Sequence, residues 1–436
     1  MKPKKLLIAI ALVATLPAAA GTWSLDSCIA YAAEHNISVR SSMIDNLGNE
    51  QGVIEAKDKF LPTLNAGAAQ NWDFGRSLTS ENTYANRNTS TFGWQAQLSL
   101  PLFQGLSAIR SLRQAQEARR AGYEQTIAVR DQTALAVISY YLQALYNREL
   151  LNVSREQLRL SQTQLERQVS LLEAGKVPEV DVIQARAQVA QNEVDTVSAA
   201  NTLRLSLVDL ATYLELADTD NFDIDPLSAA DEAVLGMPLP PSAELLEHAL
   251  GSYSSIRAAK AQEAVADKSI DVARSGYLPR LSFNAGLQDS YYNMSGMHNS
   301  SFSQQMRDNF AKSLGFSLSV PIFDAFSTRN AVRRAKLQKL SASLEVDRQQ
   351  TELRKAILQA YTQADGAAKK YAASHTAVDA AKAALDAMTE KYTYGKANAT
   401  EWEQTRSNYI TTLSQQVQAK YETILRHRIL DFYYTH

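Results

Sequence analysis

The sequence predicts a mainly α-helical, internally duplicated chain that carries the strands of a membrane β-barrel portion. Three observations predict it. Residues 104–174 contain no proline and place Leu151, Leu158, Leu165 and Leu172 seven apart, the seam of a helix packed against another helix. The seam returns at Tyr371, Val378, Leu385 and Tyr392, each 220 positions after its counterpart. Four segments of about ten residues alternate apolar and polar side chains, as strands with two unlike faces do.

Composition narrows the function. Lys and Arg number 44 against 46 Asp and Glu, with no basic block, which argues against nucleic acid as the partner. Six histidines and one cysteine leave little material for a metal site or a disulfide. No nucleophile–base set, phosphate loop or ligand spacing stands out, so neither a catalytic role nor a cofactor is expected.

Residues 1–20 read as a secretory signal. Lys2, Lys4 and Lys5 form its basic end, residues 6–16 its apolar stretch, and Ala18, Ala19 and Ala20 its cleavage site. No later stretch is apolar enough for a membrane-spanning helix. Cys28 has two readings. Leu25-Asp26-Ser27-Cys28 faintly resembles a lipoprotein box, but Asp26 is wrong for one; the plainer reading is a buried helix cysteine.

The first repeat is expected over residues 21–217. A helix over 25–59 ends at Phe60-Leu61-Pro62, because the residue before proline resists the helical region. Leu64, Ala66, Ala68, Trp72 and Phe74 then alternate with Asn65, Gly67, Asn71 and Asp73. After a polar loop, Phe92, Trp94, Ala96, Leu98 and Leu100 alternate with Thr91, Gly93, Gln95, Gln97 and Ser99. Pro101-Leu102-Phe103 leads into the long helix. That helix turns at Gly175, and the returning one carries a seam at Val180, Ala187 and Val194 beside Ile183, Ala190 and Val197. An acidic, proline-containing linker is expected over 218–241.

The second repeat, 242–436, answers every part. Tyr277-Leu278-Pro279 matches Phe60-Leu61-Pro62, and Pro321-Ile322-Phe323 matches Pro101-Leu102-Phe103. Leu281, Phe283, Ala285 and Leu287 form one stripe; Leu314, Phe316, Leu318 and Val320 form the other. A last helix follows Gly395, with Thr400 and Glu403 spaced as a capping box. Helix lengths place each long helix beside a stacked pair, with strands at one end and the glycine turns at the other.

Four strands cannot close a barrel, and an open sheet edge cannot sit in lipid. An apolar face bearing aromatics opposite a polar face suits lipid outside and water inside. A small soluble sheet half buried on the helices is the competing reading. Membrane closure needs further chains: two would give eight strands and a filled interior, three would give twelve and some space. The pattern does not choose between them.

The duplicated order, the paired Leu-Pro and Pro-Leu-Phe or Pro-Ile-Phe marks, and Leu172, Gly175, Val177, Asp181, Val182, Ile183 and Ala185 resemble the TolC-like outer-membrane efflux family. The resemblance implies a homotrimer with a twelve-stranded β-barrel in outer-membrane lipid, continued by a periplasmic α-barrel of long antiparallel helices. It further implies an exit duct for a tripartite efflux pump or type I secretion system. Its partners would be a periplasmic adaptor (membrane fusion) protein and an inner-membrane transporter.

The resemblance also implies site residues at the helical tip. An aspartate six after the first tip glycine and a tyrosine three before the second help hold the family's tip shut; here they are Asp181 and Tyr392. The accompanying arginine position is Ala397, so the lock is incomplete, with Lys396 as a weaker point-charge substitute. Asp181 equally suits a helix N-terminus without any lock. Acidic aperture positions fall on Glu401 and Gln404; three Glu401 side chains would form a cation-selective ring, or each simply favours its own helix end. Gly175, Lys176, Val177, Gly395, Lys396 and Ala397 are the expected adaptor contacts, although glycine also ends helices unaided. Trp72, Phe74, Trp94, Tyr291 and Tyr292 suit an interfacial belt or local packing. The rival reading of the whole chain is a periplasmic coiled-coil scaffold or adaptor without a pore.

Overall fold

The computed structural model describes residues 22–78 and 82–435; the expected signal segment lies outside them. The described chain runs α1 (Leu25–His35), α2 (Ile37–Asp58), β1 (Thr63–Asp73), β2 (Arg76–Leu78), β3 (Tyr84–Asn86), β4 (Thr89–Gln104), α3 (Ser107–Glu173) and α4 (Glu179–Tyr213). It continues through α5 (Ala229–Ala233), α6 (Ser242–Ser252), α7 (Ser254–Arg274), β5 (Arg280–Met294), α8 (Phe302–Asp308), β6 (Ala311–Ser319), α9 (Ser327–Thr393) and α10 (Ala399–Thr435). Both α3 and α9 are 67 residues long, as the repeat requires. The described chain contains no helix apolar enough to cross a membrane.

The chain divides into two compact units. One comprises residues 22–42, Thr126–Ser254 and 350–435; the other comprises Met43–Gln125 and Ser255–Gln349.

The second unit holds an antiparallel sheet in the order β1-β4-β5-β6. Its register puts every expected stripe on one face. Leu64 pairs with Leu98, Leu98 with Ala285, and Ala285 with Leu314; beside them Leu100 pairs with Phe283 and Phe283 with Phe316. The other face aligns Asn65, Gln97, Gly286 and Ser313. Leu64, Trp72, Leu314 and Phe316 are all more than 60% exposed, and β1 and β6 have no outer neighbour among the described residues. Each edge therefore leaves backbone donors and acceptors unpaired within the chain.

Several boundaries differ from expectation. Phe74 and Val320 lie just beyond their strands. β4 runs through Pro101 to Gln104, with an irregularity between Pro101 and Phe103 that accommodates the missing proline donor. The polar loop after β1 contains the β2–β3 hairpin, and the loop after β5 contains α8.

The first unit shows why the expected opening helix is two. Asn36 donates from Nδ2 to the Tyr213 carbonyl at 3.0 Å, while its Oδ1 accepts from the Ser38 N–H at 2.9 Å. One side chain thus caps α2 and ties α1 to the end of α4. In the second copy Tyr253 breaks α6 from α7 at the matching place, 217 residues later, with an extended backbone.

Residues 218–241 are anchored rather than loose. Phe222 and Ile224 are buried, Ile224 bridges Trp23, and Arg148 donates to the Ile224 carbonyl at 2.7 Å. Ser228 and Asp231 form a capping box on α5, and Arg428 of α10 pairs with Asp231. Leu145, Leu210, Leu214, Leu245 and Ile424 form much of the core. Cys28 belongs to it, fully buried in α1. Along α4 the seam residues Val180, Ile183, Val194 and Val197 are exposed, while Val182, Val189, Leu207 and Leu210 face the core.

Candidate functional site

The two tip turns are built alike. α3 ends with Gly175 at φ +68°, whose N–H reaches the Leu172 carbonyl at 2.8 Å while Lys176 reaches Leu171 at 2.9 Å. α9 ends with Gly395 at φ +69°, bonded to Tyr392 at 3.2 Å, while Lys396 reaches Lys391 at 2.8 Å. This paired pattern closes a helix through a left-handed residue, which only glycine adopts at no steric cost. A Cβ at either glycine would meet nothing within 4 Å, so the requirement is conformational. Lys176 and Lys396 are exposed beside the glycines; Val177 and Ala397 are half-buried.

Asp181 lies in the first turn of α4, half-buried, with its N–H on the Pro178 carbonyl at 3.1 Å. Among the described residues its carboxylate has no hydrogen-bond or ion-pair partner. Tyr392 is not joined to it. The Tyr392 hydroxyl instead accepts from Gln164 Nε2 at 3.0 Å and from Gln168 Nε2, both on α3. Its ring lies 5.3 Å from the Arg167 guanidinium and stacks on Trp402 at 5.7 Å and 20°.

α10 begins two residues earlier than the Thr400–Glu403 box implies. Asn398 Oδ1 accepts from the Glu401 N–H at 2.8 Å, and Glu401 Oε2 accepts from the Asn398 N–H at 3.1 Å. The capping box is therefore Asn398–Glu401, and the Thr400–Glu403 assignment is corrected. Both pairs have the right spacing, but the backbone enters the helix at Ala399. Glu403 instead pairs with buried Arg406 at 2.8 Å. Glu401 and Gln404 are exposed.

Sequence reasoning missed Gln164, Arg167, Gln168 and Trp402. Their signal was present: Gln164 and Gln168 share a helix face four residues apart, inside the leucine seam. A buried glutamine on a seam needs a partner. Among the described residues no group of three His, Cys, Asp or Glu side chains could hold a metal ion.

The family profile described as outer membrane efflux protein matches residues 32–215 and 245–430, one match in each repeat. The outer membrane efflux protein BepC of Brucella suis is 23% identical over 403 residues, covering 92% of this chain and 83% of that protein. The outer membrane protein TolC of Escherichia coli is 25% identical over 372 residues, covering 83% of this chain and 71% of that one. Among solved structures, CusC superposes with a TM-score of 0.75 at 16% identity, over 93% of this chain and 91% of that chain.

Proposed function

The chain belongs to the outer membrane efflux protein family, and from that premise we propose how it works. It is an exit duct in the outer membrane of a Gram-negative bacterium, serving an efflux pump or a secretion system. The observation that carries the mechanism is the four-stranded sheet with one apolar exposed face, one polar face and two bare edges.

Such a sheet is satisfied in lipid only by closing with further copies. Three copies make a twelve-stranded cylinder wide enough for solute, with small and polar side chains such as Gln97, Ser99 and Asn284 facing its water. The exposed stripes of α2 and α4, including Ile44, Leu47, Val194 and Val197, support closure between neighbouring copies. The duct is passive and has no catalytic step. An inner-membrane transporter supplies the energy, and a periplasmic adaptor opens the tip by engaging Gly175, Lys176 and Val177 and Gly395, Lys396 and Ala397. Asp181, Tyr392, Glu401 and Gln404 shape the aperture. Family membership gives the scaffold-without-pore alternative no support.

The test is purification of the full-length protein from outer membranes. A detergent-dependent trimer by native mass spectrometry, crosslinking through Lys176 and Lys396 to a periplasmic protein in whole cells, is the expected result. A monomer soluble without detergent would exclude the duct.

A further inference from the structure

The polar face of the sheet is nearly free of charge. Across β1, β4, β5 and β6 it presents mostly amides, hydroxyls, glycine and alanine, and among the described strand residues its charged side chains are Asp73 and Arg280 alone. They stand at opposite ends. Asp73 lies level with Thr89 and Met294, whereas Arg280 begins the same strand β5, roughly 45 Å away along it. The duplication makes Arg280 stand out further. Pro279 answers Pro62, so the arginine occupies the place that Thr63 holds in the first copy.

We infer that Arg280 and Lys59 form an anion-binding recess at the helix-proximal end of this face, one in each copy. It takes the phosphate, sulfate or carboxylate group of a solute in the bore. The inference rests on the duct reading above, which turns this face to water.

Both cations line one cavity of about 540 Å³, together with Thr63, Ser99, Ser282 and a single acid, Asp58. The register puts the hydroxyl residues and Arg280 on the same face: Thr63 pairs with Ser99, Ser99 with Asn284, Ser282 with Ser317 and Arg280 with Ser319. Among the described residues the side chains of Arg280 and Lys59 have no hydrogen-bond or ion-pair partner, and Asp58 is joined to neither. Two cations therefore meet one acid, and the donors stay free for a ligand. The guanidinium fork suits a carboxylate or phosphate, and hydroxyls supply neutral donors beside it. Asp73 is too distant to cancel this charge, since salt screens exposed charges beyond about 8 Å. Arg280 and Lys59 are exposed, so an anion is held weakly enough to move on, as conduction requires.

The probe is inorganic phosphate, titrated against the chloride conductance of the purified full-length channel in planar bilayers of zwitterionic lipid. Phosphate should reduce wild-type conductance. The half-blocking concentration should rise roughly threefold or more in Arg280→Gln and in Lys59→Gln, with Arg280→Lys in between. Glu401→Gln should keep the wild-type block. Lys59 is exposed and lies outside the strands, so Lys59→Gln carries the test should Arg280→Gln fail to assemble. No block in any protein, or the same block in wild type and every Arg280 or Lys59 variant that assembles, would overturn the recess while the open pore keeps the duct reading. A wild-type protein that forms no pore would remove both. Adding anionic lipid should leave the block unchanged; its loss would mean that lipid headgroups fill the recess, and would overturn the assignment to a solute in the bore.

Discussion

Glu401 and Asn398 hold each other: each side chain accepts the other residue's backbone N–H, at 3.1 and 2.8 Å. The carboxylate proposed for the aperture thus also caps α10. Glutamine serves equally in a capping box, so Glu401→Gln separates the roles. Expected is reduced cation preference in bilayer recordings with an unchanged melting temperature. Asn398→Ala should instead lower stability by about 1 kcal/mol and leave selectivity alone.

Asp181 gives the complementary case, an acid whose carboxylate has no hydrogen-bond or ion-pair partner among the described residues. Asp181→Ala should raise outer-membrane permeability to large antibiotics if the carboxylate bonds across the closed tip. Unchanged uptake would leave it the helix-end role, worth about 0.3–1 kcal/mol.

Asp231 and Arg428 join the segment between the repeats to α10. Burial opposes ionisation of Asp231, but the Ser228 hydroxyl and the Arg428 guanidinium outweigh it and hold the carboxyl below its ordinary value. Arg428→Met should cost about 1.5–3 kcal/mol near neutral pH. A depressed carboxyl stabilises the fold above its unfolded pKa, and this is lost as pH falls through the folded one. The difference between wild type and variant, read by denaturant melts, should therefore hold steady from about pH 5 to 7 and shrink below about 4.

Burial first, and the nearby Asp225 charge second, push the Cys28 thiol up to about 12. The folded protein should resist maleimide at pH 8 and label only once denatured. Above the ordinary thiol value only the unfolded chain ionises, so stability should fall there, and Cys28→Ala should flatten that fall.

Gly105 and Ala325 occupy matching places ahead of the two long helices, and both adopt positive φ, +61° and +53°. They are not equivalent. A Cβ on Gly105 would come within 2.7 Å of the Ser275 carbonyl oxygen and 2.9 Å of Leu278 Cβ. Gly105→Ala should cost about 2–4 kcal/mol by thermal unfolding. Ala325→Gly should stabilise by up to about 1 kcal/mol, by removing the left-handed penalty.

Much of this molecule was legible in its sequence because its main signals are local. Period-two alternation put Phe283 and Phe316 each on the apolar face of its own strand, and the register then sets them side by side. The 220-residue offset likewise gave both glycine turns. What escaped depends on residues far apart in the chain. Asn36 looks like any helical asparagine until Tyr213 arrives to meet it, and the same holds for Gln168 and Tyr392. The capping box was misplaced because two overlapping pairs share the spacing, and only the backbone path separates them. The α4 stripe was legible as an apolar seam, but periodicity cannot say whether a seam meets its own chain or another, and in this chain it lies exposed.

The bare edges of β1 and β6 make a single copy an unfinished object. On the proposed closure with sister copies, its strands have no lipid-compatible resting form to wait in, so entry into the bilayer and union should happen as one event. A damaged copy able to join but not to complete the ring would then spoil its sound companions. Inherited defects in the outer strands should behave as dominant poisons, whereas defects that prevent joining should be recessive.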